Sequence, residues 1–218
     1  MTIDSVEGSV NALEKELGLT EGLLEKLLIE DDWSFIIKIH ALIEGAVSLL
    51  LTRSIGKEEL HDIFSSLDLS NKRLGKMAFV KALNLLDQPD RRFISSLSEL
   101  RNMMVHDISM VNFNLKDHID ELSQKNLSNF AIRFDSFTHN GTYELEGVER
   151  DASELFKNDP KKAIWYSALI TFSIIYQKKE IELADEKYDD LLKSIGEKHL
   201  QLKGLTEESR PDKEEGIN

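Results

Sequence analysis

Residues Arg101, Asn102, Met103, Met104, Val105 and His106 form an Arg-Asn-x-x-x-His series inside an apolar helical pattern, followed by Asp107. They place a permanent cation, an amide and a group titrating near neutrality within about two helical turns. His106 can take a proton from a ribose 2′-hydroxyl or return one to a leaving oxygen. Arg101 stays charged and can stabilise the negative charge of a five-coordinate phosphorus. Asn102 supplies both a donor and an acceptor for orientation. The set suits acid/base cleavage of a phosphodiester without a metal.

On a helix, Asn102 and His106 are four apart and project from one face. Arg101 lies roughly 140° around from His106 at 100° per residue. A single helix therefore does not hold Arg101 against His106. The two can converge from either side of a phosphate, most simply when two copies face each other across a symmetry axis. A looser match, Arg133 to His139, has Phe134 in second place, so it is the polar Asn102 that distinguishes the first.

The elements that must position these residues read as helices almost throughout, with no sustained strand alternation. A first helix is expected over Val6–Leu17 and stops at Gly18. Thr20 caps a second that runs to Ile29. Asp31 and Asp32 open a long helix, Trp33–Ile55, at the positive end of its dipole, and Gly56 follows its last turn. Phe35, Ile36, Ile39, Leu42, Ile43, Ala46, Val47, Leu50 and Leu51 give it a wide apolar stripe. A shorter helix, Glu58–Leu67, leads to Asn71 as cap of Lys72–Leu86. Pro89 begins the motif helix, expected over 89–110, with Phe93, Ile94, Leu97, Leu100, Met104 and Ile108 on its apolar face. Lys116–Phe137 reads as one helix, His139–Thr142 as a turn and Tyr143–Val148 as a short extended piece. Asp159-Pro160 starts the last long helix, expected over 161–202. The reading is thus an all-α compact bundle of about six to eight helices, a single domain over 1–204, and a disordered charged tail over 205–218.

The chain has 218 residues, 41% hydrophobic and 31% charged, which is the balance of a soluble globular protein large enough to bury a core. Absence of cysteine excludes disulfides and thiolate metal sites and fits a reducing, cytoplasmic setting. The N-terminal residues lack signal-peptide character, and the apolar run Ala163–Tyr176 is shorter than the roughly 20 residues of a bilayer span, so no membrane association is expected. The net charge of −13 opposes broad electrostatic binding of nucleic acid. Lys72, Arg73, Lys76, Lys81, Arg91, Arg92 and Arg101 nevertheless concentrate in the middle third, which leaves room for one basic cleft.

Arg101-Asn102-x-x-x-His106 near the end of an amphipathic helix resembles the HEPN superfamily. The resemblance implies a helical bundle, a homodimer whose two motifs share a cleft, and metal-independent endoribonuclease activity. The implied settings are toxin–antitoxin, phage-defence or RNA-processing systems. It places Arg101, Asn102 and His106 as catalytic residues, RNA as substrate and an antitoxin or other protein as possible partner. Attack by the 2′-hydroxyl, leaving a cyclic phosphate, is the implied chemistry. A fainter likeness, to the mannitol operon repressor family, rests on a long helix like Ile36–Leu51, the Leu-Arg-x-x-x-x-His-Asp stretch Leu100–Asp107, and a late helix like Ala163–Ile175. It implies a non-catalytic regulator acting through protein contacts. The motif covers six residues and the wider pattern Asp32–Ile181; residues before Asp32 are explained by neither.

Other residues read more plainly. Arg91 and Arg92 could steer RNA, but such a pair at a helix start is more often a solvated face. His40 beside an apolar stripe reads as a satisfied core or boundary residue. His61, His118, His139 and His199 lack metal-ligand spacing, so no metal and no cofactor is expected. Trp165, Tyr166, Phe172 and Tyr176 recur at helical spacing, as core or dimer-interface aromatics do.

Overall fold

A computed structural model describes residues 3–71, 73–138, 141–145 and 148–182. Helix α1 covers Ile3–Glu16, α2 Leu23–Leu27, α3 Asp32–Ile55, α4 His61–Ser66 and α5 Lys76–Ala82. The motif helix α6 covers Gln88–His106, followed by α7 (Leu115–Asp120) and α8 (Gln124–Phe134). A hairpin pairs β1 (Thr142–Leu145) antiparallel with β2 (Val148–Asp151), Thr142 opposite Asp151. Helix α9 (Ala152–Asn158) and α10, described over 160–182, complete the order. Among the described residues the fold is all-α but for this hairpin, with ten helices where six to eight are expected.

The chain divides into one compact unit, Met1–Lys179, and a second, Glu180–Asn218. Everything below concerns the first. The expected continuation of the last helix to 202 and the tail over 205–218 lie outside the described residues, as does the His139-Asn140 part of the expected turn.

Helix α3 is the axis of the first unit. Asp31 caps it by accepting from Ser34 N at 2.8 Å, and that backbone bond holds the Asp31 carboxyl below its usual range. Gly56, at φ 67°, closes the other end in the left-handed region that glycine enters without cost. Ile36, Ile39, Ile43, Val47 and Leu50 are fully buried. Each such side chain contributes about 2 kcal/mol by leaving water. The helix is long and apolar enough to cross a membrane by length and composition, with mean hydropathy 1.7, yet 61% of its most apolar window is buried in this fold. It packs against α2, α4, α5 and α6.

Polar ties bring distant segments onto α3. Asp32 accepts from Leu115 N at 2.7 Å and pairs with Lys161 at 2.8 Å, joining the starts of α7 and α10 to its first turn. Trp165 Nε1 donates to Leu24 O at 2.8 Å. Phe172 is buried, while Trp165 and Tyr176 pack against the core, so the aromatic run of α10 serves the interior.

Several boundaries differ from expectation, each for a local reason. The stretch expected as one helix over Lys116–Phe137 is two, because Ser123 accepts from Asn126 N and starts a new helix at Gln124. Asn71 does cap, accepting from Arg73 N and Leu74 N at 3.0 Å, but what it caps is a turn. Helix α5 begins only after Gly75, where an added Cβ would lie 2.5 Å from Asp68 O. Asp151 accepts from Ser153 N at 2.7 Å and opens α9, which short length hides from periodicity.

Candidate functional site

Helix α6 carries the motif on its last two turns. Pro89 sits in its first turn, where the missing N–H costs nothing. Phe93, Ile94, Leu97, Leu100 and Met104 form the buried face. The helix stops at His106, four residues before the expected end at 110. Asp107 leaves helical geometry at φ −129°, ψ 109° and accepts from Ser109 N at 2.9 Å and Ser109 Oγ at 2.7 Å. Hydrogen bonds from the Ser109 hydroxyl and amide keep the Asp107 carboxyl below its usual range. A 3-10 segment, Ile108–Asn112, follows. Asp107, without a role in the sequence reading, is the helix terminator that leaves His106 on the final turn.

Arg101 and Asn102 are half-buried, and Arg101 Nη1 donates to Asn102 Oδ1 at 3.1 Å. Adjacent helical side chains diverge by about 100°, so the arginine stem must bend around the helix to make this bond. The bond sets the guanidinium beside the amide of Asn102, a residue that shares a helix face with His106. Arg101 makes no ion pair with a carboxylate among the described residues. His106 is exposed and makes no side-chain hydrogen bond among them.

Behind the motif lies a buried polar cluster that sequence reasoning missed in part. His40 of α3 is 7% exposed, and its Nε2 lies 3.1 Å from Ser98 Oγ. Ser98 spends its own hydrogen on Ile94 O at 2.9 Å, so the serine oxygen accepts and His40 Nε2 carries the proton. Burial pushes the His40 pKa down; Arg101 and Lys76 push the same way, against Glu44 and Asp68. His40 is therefore a satisfied, neutral histidine whose charge state is sensitive to the motif arginine.

Lys76, at the start of α5, is fully buried. Its ammonium meets Glu44 Oε1 at 2.8 Å and Ser65 O at 3.3 Å. An unpaired buried ammonium would be prohibitive, so Glu44 is what permits the burial. The sequence counted Lys76 among the basic residues of one cleft, but it is buried and neutralised by Glu44, which its residue type does not signal because lysines are nearly always exposed. Neutral His40 thus contacts Ser98 of the motif helix and lies within reach of the charges of Glu44, Lys76 and Arg101.

The remaining candidates separate from the motif or flank it. Arg92 donates to Asp135 O at 3.3 Å and ties α6 to the end of α8. Arg133 of the looser match pairs with Glu99 and donates to Ser96 at 3.3 Å, which makes it a helix-joining contact. Arg91 is half-buried, donates to Leu86 O at 2.6 Å, and borders a cavity of about 240 Å³ between α5 and α6. Around the motif, Met103, Val105, Ile108 and Val111 expose apolar surface, Ile108 at 89%. Among the described residues no group of three or more His, Asp or Glu side chains is arranged to hold a metal ion.

Comparison with models of protein families, with curated proteins and with solved structures returned no match.

Proposed function

We propose that the chain is a HEPN-like, metal-independent endoribonuclease that works as a cytoplasmic homodimer, in a toxin, defence or RNA-processing role. The observation that carries the reading is the Arg101–Asn102 bond beside an exposed His106 on the same helix end. It groups a fixed cation, an orienting amide and a solvent-reachable imidazole at one surface. His106 takes the 2′-hydroxyl proton as that oxygen attacks the adjacent phosphorus. Arg101 stabilises the charge gathered on the non-bridging oxygens. The P–O5′ bond breaks, the leaving oxygen receives a proton from an imidazole, and a 2′,3′-cyclic phosphate remains. Asn102 holds the guanidinium in place. The exposed apolar residues flanking the motif supply a surface for the second copy.

Incubating the purified protein with defined RNAs in EDTA tests the reading. The expected result is cleavage with cyclic-phosphate ends, abolished by His106→Ala in a folded variant. Undiminished cleavage by that variant would overturn the mechanism.

The second reading is a non-catalytic regulator of the mannitol-repressor type that acts through protein contacts. It is favoured by the same apolar surface at Met103, Val105, Ile108 and Val111, and by the net charge of −13. Intact RNA together with a stable heteromeric complex would select it, and a cognate antitoxin would be one such partner.

A further inference from the structure

The cavity between α5 and α6 is lined by Ser70, Met77, Ala78, Lys81, Arg91 and Ser95, with a volume of about 240 Å³. Two cations border it in a chain of net charge −13. The Lys81 ammonium and the Ser95 hydroxyl make no hydrogen bond or ion pair among the described residues. Arg91 is held by its bond to Leu86 O, which leaves its other N–H groups to point elsewhere, and part of its charge is shared with nearby Asp90. Ser70 is committed to Asp68, by its amide at 2.9 Å and its hydroxyl at 3.4 Å. The free donors at the cavity are therefore Lys81, Ser95 and the rest of the Arg91 fork, a set that matches the oxygens of a phosphate. Several other cations are ion-paired: Lys38 with Glu30, Lys76 with Glu44 and Lys161 with Asp32.

Position along α6 links this cavity to the motif. Arg91, Ser95 and Asn102 recur at spacings of four and seven, so they stand on one face. Ser95 and Asn102 are roughly 10 Å apart along the axis at 1.5 Å per residue. Resting on the ribonuclease reading of the motif, we infer that this cavity is a backbone-phosphate subsite for single-stranded RNA, engaging a phosphate a few nucleotides from the scissile one. Phosphate contacts set register and carry no base information, so the site positions the strand for cleavage. It also explains how a strongly acidic protein grips RNA: the contact is local, through unpaired cations in one cleft.

The test is binding of a 2′-O-methylated, non-cleavable single-stranded RNA to the full chain across a salt series, with cleavage of unmodified RNA measured in parallel. Lys81→Gln and Arg91→Gln should each weaken binding about tenfold, the loss expected for one charge-assisted contact. The double variant should lower the slope of log affinity against log salt by about 0.7, the value for one single-strand phosphate. The Lys81 side chain is exposed and makes no hydrogen bond or ion pair among the described residues, so Lys81→Glu keeps the test open if Arg91→Gln misfolds. Lys125→Gln removes an exposed charge from α8 and should change little. Unchanged affinity and slope in the cavity variants, an equal loss in Lys125→Gln, or no binding by the parent would each overturn the subsite. Cavity-dependent binding without cleavage of unmodified RNA would sustain the subsite and remove the nuclease reading.

Discussion

Arg101 donates from Nη1 to Oδ1 of its neighbour Asn102 at 3.1 Å, although successive helical side chains point in different directions. The bond sets the guanidinium beside the amide of Asn102, which shares a helix face with His106. Under the nuclease reading, Arg101→Lys should lower single-turnover cleavage by 10²-fold or more, because an ammonium lacks the planar fork and its reach. Asn102→Ala, which frees the arginine without removing it, should cost about tenfold. Comparable rates for Arg101→Lys and the parent in rapid-quench assays would show that the guanidinium has no part in the chemistry.

His40 is expected to make stability depend on pH. Its folded pKa is lowered below the ordinary 6.5 by burial, so the unfolded chain binds the proton more readily. The contribution is fully present above about pH 6.5 and is lost as pH falls through the lowered folded value. Denaturant titrations at pH 7.5 and pH 5.5 should show this loss, and His40→Gln should flatten it. An unaltered pH profile in that variant would rule out His40 as the source.

Asp90 should act in the opposite sense. Desolvation raises its pKa from 3.8 to about 6, and one of its carboxylate oxygens is buried without a partner. The folded state therefore holds the proton more tightly, and stability is lost as pH rises from about 4 through 6. Asp90→Asn removes the buried charge and should stabilise the protein by about 1–3 kcal/mol at pH 7.5, with little effect at pH 4. Thermal melts at the two pH values measure this, and equal shifts at both would contradict a charge-based cause.

Glu44 should be needed more than Lys76. Glu44→Ala leaves a fully buried ammonium uncompensated and should cost about 3–5 kcal/mol. Lys76→Met removes the charge along with its need for a partner and should be far milder. Urea unfolding of both variants distinguishes a required ion pair from a dispensable one; the reverse ranking would refute it.

Dimerisation, if it uses the apolar surface beside the motif, should fail in Ile108→Asp. Ile108 is 89% exposed in a single copy, so a charge there costs the monomer fold little. Sedimentation should show a dimer for the parent and a monomer for the variant, with unchanged circular dichroism. A dimeric Ile108→Asp would move the interface elsewhere.

Much of the scaffold was legible from near neighbours alone. Asp31, Gly56 and Pro89 mark helix ends by capping and dihedral preference, and all three ends stand where expected. Apolar spacing correctly placed Phe93, Ile94, Leu97, Leu100 and Met104 on the buried face of the motif helix, but Ile108, expected on the same face, follows the helix end and is exposed. Short-range competition was harder to weigh: Asp107 and Ser123 each stop a helical pattern with one side-chain bond, and apolar periodicity runs straight through both.

The sequence by itself determined the all-α class, the long central helix and the Arg101, Asn102 and His106 types at their spacing. These follow from bonds within a few residues, which the order of side chains encodes directly. Only the tertiary structure decided that His40 is neutral beneath Ser98, that Glu44 makes a buried Lys76 tolerable across 32 positions of chain, and that Lys81 and Arg91 face one cavity. The physical reason is that burial and counter-charge are properties of a place, and the place exists only after α3, α5 and α6 have packed together.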